Sequence, residues 1–431
     1  MTKLRFVLCL FIFTSFDNGI IYSLNFDGEK IISPLDADGK VINNIKISGL
    51  TRTHESVIYQ ELLIRKDKIF KSGDYLESVI RIKNLTLFYR VETKIYLVED
   101  NRVTVHFHLL DRWTLVPIFD VRTGGGSKYI SFGLTERNIL GRYQQGSFSW
   151  TQLDGVNSYS LQWTEPRLLK RRIMLNISAS SSTRNYSLYD DKVEIIGGFT
   201  IKSNSYLVYL QKEFLWWLFW GVGLELNDTS FSEKHLTKKQ KLANEKRSDL
   251  SFKPANVTTP FLKLTLGRLN YDQFFISGYQ SQVQLRKAIG DDPFLDLIFS
   301  NKFFWLLPFS SNVGLQVKVG YTSADLIQYQ FYLGGLSHVR GYLNNQFMSH
   351  KFLQANFENR LALINTTWIT LQHVVFSDNL FLSEKKSVSS LGTGIRIRSR
   401  RITNFGLRFD YAVPLEDKMK ASLSFGVKQF F

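Results

Sequence analysis

The chain of 431 residues holds a single cysteine, Cys9, and only eight prolines. One cysteine excludes an intramolecular disulfide and any cysteine-rich zinc or iron–sulfur site. Past the N-terminus no stretch reaches the ~18 uninterrupted apolar residues of a helical membrane span. Acidic side chains are outnumbered: 38 Asp and Glu face 54 Lys and Arg, for a formal charge of +16. Aromatic side chains are plentiful, at 14% of the chain, with 35 Phe and 19 Tyr. Together with a hydrophobic content of 44%, this excludes a disordered chain. What remains is a β-rich chain, heavy in Phe, Tyr, Ser, Thr and Asn.

The first residues read as an export signal. Lys3 and Arg5 precede a short apolar run, Phe6 to Phe13, too short to cross a bilayer. The expected layout is a signal peptide over 1–23, cut near Ser23, and a linker over 24–40. At the other end, Ala421, Leu423, Phe425, Val427 and Phe431 share one parity, and Ser422, Ser424, Gly426 and Lys428 the other. That is a strand with one lipid-compatible face and one polar face.

Two regions differ in period. Residues 41–111 run strand, helix, helix, strand, strand. Thr53 is placed to cap a helix through Leu63, and a second helix starts at Tyr75. This is a small α+β domain with a core of its own. From 112 to 431 long alternating strands take over. In the stretch Asn404 to Tyr411, Phe405, Leu407, Phe409 and Tyr411 oppose Asn404, Gly406, Arg408 and Asp410. Polar faces repeated on every strand are wasted in a dry core and suit a wet barrel lumen. About 17 segments qualify, and closed bacterial barrels favour even numbers, so 16 strands are expected. The doubtful stretch is Val193 to Glu213, where two segments abut. Two connections are long, Ser232 to Asn256 and Leu336 to His350. The first is rich in Lys, with the charge to meet anionic headgroups, although a solvated loop needs no partner. Its charges are not interleaved with stacking aromatics, so nucleic acid is not an expected partner.

Several segments resemble the outer-membrane assembly-factor superfamily, the BamA/TamA-like or bacterial surface antigen family. The most specific is Leu333-Gly334-Gly335-Leu336-Ser337-His338-Val339-Arg340-Gly341-Tyr342. In that family a Gly-Gly pair followed by Val-Arg-Gly and an aromatic forms the tip of a long loop folded back into the barrel. Glu136 to Gly141 resembles an early turn of the family, and Phe409-Asp410-Tyr411 its penultimate strand. Residues 42–111 resemble one POTRA module. The C-terminal strand, with Ser424, Gly426 and Phe431, resembles a barrel-recognition signal, although Gln429 stands where an aromatic is usual.

The resemblance implies a mainly β chain: a 16-stranded antiparallel transmembrane β-barrel preceded by one small α+β periplasmic domain, in the cell outer membrane. It implies outer-membrane lipid, an unfolded outer-membrane or secreted client and accessory periplasmic proteins as partners, with insertion of outer-membrane proteins or translocation of a client as the task. A secretion pore for a dedicated partner and a passive channel are the alternatives. The physics of Arg340 stands apart from the family. A guanidinium inside a barrel needs an acidic partner. Glu358 shares parity with Gln354, Asn356 and Arg360, and Asp378 with Thr370 and Gln372, so both carboxylates should face the lumen; both resemble the family's acidic positions for the loop arginine, and Arg340 is expected to pair with Glu358, Asp378 or both.

Enzymatic readings find little support. His106 and His108 share a strand face, but two imidazoles fall short of the three or four ligands of a metal site. No Gly-x-Ser-x-Gly elbow occurs. No catalytic residue, metal or cofactor is expected.

Overall fold

The computed structural model describes residues 30–427 apart from 100, 125, 191, 247–251, 273–274, 367, 384–386, 400–405 and 417–419. The expected signal peptide, residues 24–29 of the linker, and Phe431 lie outside the described residues. The chain divides into two compact units. One comprises the residues up to Leu50 with 61–81 and 90–110, and the other 51–60, 82–89 and everything from Asp111.

The first elements are Lys30–Ile31 (β1), Val41–Ser48 (β2), the helices Glu55–Glu61 (α1) and Ser72–Asn84 (α2), Phe88–Glu99 (β3) and Arg102–Asp111 (β4). The four strands form one sheet in the order β1-β3-β4-β2, with β2 parallel to β4 and at the edge. Along β4 the alternation sorts the faces. Val103, Val105, Phe107 and Leu109 are fully buried, and Tyr75 of α2 packs on Phe107 and Phe70. His106 and His108 project from the other face, where the Ser48 hydroxyl lies 2.7 and 3.0 Å from their ring nitrogens. Among the described residues no cluster of three metal ligands forms.

The barrel strands are Leu115–Gly124 (β5), Ser127–Ile139 (β6), Gln144–Leu153 (β7), Val156–Glu165 (β8), Ile173–Tyr189 (β9), Ile195–Leu215 (β10) and Leu218–Ser232 (β11). After the helix Lys238–Glu245 (α3) come Ala255–Asp272 (β12), Phe275–Lys287 (β13), the rung Ile289–Gly290 (β14), Leu295–Leu307 (β15) and Ser311–Thr322 (β16). A loop hairpin, Phe331–Leu333 (β17) with Phe347–Ser349 (β18), precedes Lys351–Asn365 (β19), Ile369–Leu382 (β20), Val388–Ser399 (β21), Gly406–Pro414 (β22) and Ser422–Val427 (β23). Leaving out the hairpin and the rung, sixteen antiparallel strands close into a barrel in chain order. The doubtful stretch Val193 to Glu213 is one strand of 21 residues, β10, with a register irregularity at Ile195–Gly197.

The outward face carries exposed Phe119, Phe132, Leu134, Phe148, Leu161, Val208, Leu224, Leu264, Phe357 and Phe409. An apolar belt of this extent belongs in lipid, not water. Inward positions are polar. On β19 Gln354, Asn356, Glu358 and Arg360 are all fully buried, and Leu353 and Phe357 face out. The Lys-rich connection is not merely a solvated loop. Thr237 and Gln240 form a capping box for α3, and the Gln240 amide reaches Asn185, Ser187 and the Tyr186 carbonyl on β9.

Candidate functional site

The loop between β16 and β19 enters the lumen. Two glycines shape its tip. Gly334 sits at φ +116°, and a Cβ there would lie 2.6 Å from the Leu343 carbonyl oxygen. Gly341 sits at φ +95°, where a Cβ would press on Pro414 at 3.0 Å. Only glycine holds such angles without strain. Val339 between them and Tyr342 just after Gly341 are fully buried, packing with Leu333, Phe347, Phe352, Leu380, Leu382 and Val388. The Tyr342 hydroxyl donates to the Ser389 carbonyl at 2.8 Å. The loop is therefore anchored by apolar burial as well as by charge.

Arg340 is 3% exposed. Its Nε and one Nη donate to the two carboxylate oxygens of Asp378 at 2.7 and 2.8 Å, and its backbone N–H donates to the same group at 3.1 Å. The second Nη donates to Glu358 at 2.7 Å and lies 3.5 Å from Asp410. The guanidinium plane covers the Phe376 ring at 3.4 Å from its centroid. All three carboxylates are buried to within 1%. The structure thus brings Arg340, Glu358 and Asp378 together.

The network is wider than the sequence reading foresaw. Asp410 accepts from Arg396 at 2.6 Å and pairs with Arg408 at 3.3 Å. Glu358 also holds Arg360 at 2.8 Å. The Asn356 amide bridges Asp378 and the His338 carbonyl, both at 2.8 Å. Asp410 could have been found, because it lies on the Arg408 parity of its strand. Charges this deep persist only when each is paired and hydrogen-bonded. Here a single guanidinium from the loop ties β19, β20 and β22 together.

Other sequence-predicted positions fall at the barrel closure. Ser424 stands opposite Asp410, and Gly426 opposite Arg408. A Cβ at Gly426 would lie 2.9 Å from an Arg408 nitrogen and 3.2 Å from Arg122 Cγ on β5. The missing side chain lets both arginines lie over the junction of the first and last strands. At that junction Phe425 stands opposite Thr123.

A lipid-belted barrel that folds one of its own loops into its lumen, preceded in the chain by a small α/β module, defines the class of this protein. The chain belongs to the Omp85 superfamily. The Omp85 superfamily domain matches residues 138–431, and the POTRA family, described as a surface antigen variable number repeat, matches 40–110. The outer membrane protein assembly factor BamA of Neorickettsia risticii (strain Illinois) is 24% identical over 147 residues, which is 33% of this chain and 20% of that protein. The chain thus spans much less than the length of that relative. BamA from Haemophilus ducreyi lacking POTRA domains 1–3 superposes with a TM-score of 0.56 at 14% identity, covering 90% of this chain and 84% of that one. CdiB from Escherichia coli gives 0.65 at 12%, covering 90% and 76%. CdiB from Acinetobacter baumannii gives 0.60 at 13%, covering 93% and 77%. At these identities the likeness is one of fold.

Proposed function

We propose that this barrel sits in the outer membrane with residues 41–111 in the periplasm, and passes unfolded β-rich clients into or across that membrane through the junction of β5 and β23. The closure of the barrel by its first and last strands, which meet at Thr123 and Phe425, carries the reading. Parting these two strands leaves edges in lipid without backbone partners, which is costly, and a client strand supplies those hydrogen bonds. The lumen is the less suitable route, since the Arg340 loop crosses it and is held by buried ion pairs. Strand β2 lies at the edge of the small sheet, the position at which a client strand adds by pairing in the periplasm. Accessory periplasmic proteins would dock on the same module. The task is mechanical and calls for no catalytic group or cofactor.

The test uses the register pair. Thr123→Cys with Phe425→Cys, oxidised in a background lacking Cys9, should lock the junction and abolish client assembly, with recovery on reduction. Full assembly with the junction locked rejects the proposal.

A further inference from the structure

Turns that face water are ordinarily polar, and several turns of this barrel are not. At the end where β5 begins, the β6–β7, β8–β9 and β15–β16 turns carry Leu140, Leu169 and Phe309, which are 76%, 79% and 91% exposed. All three sit at positive φ, 51°, 53° and 60°. That conformation favours Gly or Asn, and a bulky apolar side chain gains nothing there in water. Trp368, just before β20 at the same end, is 64% exposed. These positions run from β6 round to β20 in the strand order of the barrel. A single protein partner would cover one arc of such a rim. A membrane interface meets all of it and continues the apolar belt below the strands' outward faces.

One arc of this rim adds positive charge. On β10 the lipid-facing Tyr206, Val208 and Leu210 lead to Lys212 and Phe214 on the same parity, both exposed. The Lys212 ammonium lies 4.7 Å from the centroid of the Phe214 ring, which is 6.0 Å from the Trp220 ring. Lys212 stands opposite Ile173 of β9. The ladder continues past that pair, because the Glu213 N–H donates to the Arg172 carbonyl at 3.0 Å. Arg171 is extended and exposed, so it comes level with Phe214 on the outward face. Arg171 and Lys212 are therefore diagonal neighbours on adjacent strands, about 7–8 Å apart. Glu213 is on the opposite parity and is held by Arg172 at 3.6 Å. Beyond the β10–β11 turn, Arg268 of β12 lies over the Trp216 ring at 5.2 Å.

We propose that Arg171 and Lys212, with the Phe214 ring between them, bind the phosphate of an anionic phospholipid in the leaflet that faces the periplasm. The guanidinium fork and the ammonium supply charge and donors to the phosphate oxygens. Phe214 and Trp220 present apolar surface to the chains below that phosphate. A zwitterionic lipid brings its own cation beside its phosphate, and two clustered protein cations repel it. An anionic lipid brings none. The proposal rests on the reading that the barrel spans the outer membrane with residues 41–111 in the periplasm, and stands whether or not the β5–β23 junction opens.

Native mass spectrometry of the full-length chain tests this, with dioleoyl phosphatidylglycerol or dioleoyl phosphatidylethanolamine added to the detergent micelle. The expected result is preferential retention of phosphatidylglycerol. Arg171→Gln with Lys212→Gln should weaken that retention about tenfold, with the heat-resistant folded band kept on gels. Arg171→Lys with Lys212→Arg keeps both charges and should retain most of it. Lys238→Gln with Lys239→Gln, on α3 at the other end of the barrel, should leave it unchanged. Equal retention of the two lipids by the wild-type chain overturns the proposal. So does undiminished phosphatidylglycerol binding in the Gln pair at 171 and 212, and so does an equal loss in the α3 variant, which marks a diffuse charge effect. Retention of neither lipid goes further and refutes the lipid-facing barrel on which the proposal rests.

Discussion

Replacing Arg340 by Ala removes three charge-assisted hydrogen bonds, two to Asp378 and one to Glu358, and uncovers the Phe376 ring. The carboxylates do not suffer equally. Glu358 keeps Arg360 and Arg396, and Asp410 keeps Arg396 and Arg408. Asp378 loses the cation that faces it and retains the Asn356 amide. Breaking one side of a buried pair costs about 3–5 kcal/mol, because the remaining charge stays desolvated. The strand ladder is untouched, so the loss falls on the loop. Amide hydrogen exchange over 334–345 should accelerate about 100-fold or more, and exchange in β19 and β20 should change little. A double variant, Arg340→Ala with Asp378→Asn, should regain part of the protection, since it removes the stranded charge. Arg340→Lys should fall between, keeping the charge but not the fork. Unchanged exchange in Arg340→Ala, or a double variant worse than the single, would refute the reasoning.

Gly334→Ala forces a Cβ to 2.6 Å from the Leu343 carbonyl at a positive φ, so it should loosen the same loop by about 1–3 kcal/mol and speed exchange over 334–345. Phe376→Leu should weaken the loop by less than Arg340→Ala, since it removes the ring face and leaves the ion pairs, and exchange over the same amides reads it. Asp111 supplies a pH dependence. Burial pushes its carboxyl up, but the Thr53 hydroxyl and the backbone N–H groups of Arg52, Thr51 and Thr53 hold it down, and the net shift is downward. A lowered carboxylate stabilises the fold above its ordinary range, near pH 4, and that contribution disappears as pH falls through the folded value. Asp111→Asn should therefore lower the thermal midpoint at neutral pH and flatten its decline below about pH 4.

The barrel was legible because each strand must serve two solvents. Alternation in Phe405 to Tyr411 marks lipid and lumen faces, and β22 follows it from Gly406 on, Phe405 lying outside the described residues. Legibility failed where that contrast disappears. Along β9 Ser181, Thr183, Asn185 and Ser187 alternate with Ser180, Ser182 and Arg184, so both faces are polar and the period carries no signal. In β10 the pair Gly197-Gly198 looks like a break. Gly198 is small for another reason: a Cβ there would lie 2.5 Å from the Gln240 amide of α3. Helix α3 has no apolar period to announce it, although Thr237 and Gln240 stand at capping-box spacing. For the loop site, parity alone placed Glu358 and Asp378 in the lumen. Asp410 needed the further step of asking which carboxylates share a wall with Arg408, and Phe376 needed coordinates, since an aromatic on the lumen parity has no pattern to announce it.

The central claim is that the loop tip is tucked inside a sealed barrel. Val339 is fully buried beside Arg340, and the only native cysteine is Cys9. A Val339→Cys variant lacking Cys9, folded in lipid, should resist a small water-soluble maleimide until the protein is denatured. Rapid labelling of the folded barrel at that position would contradict the account.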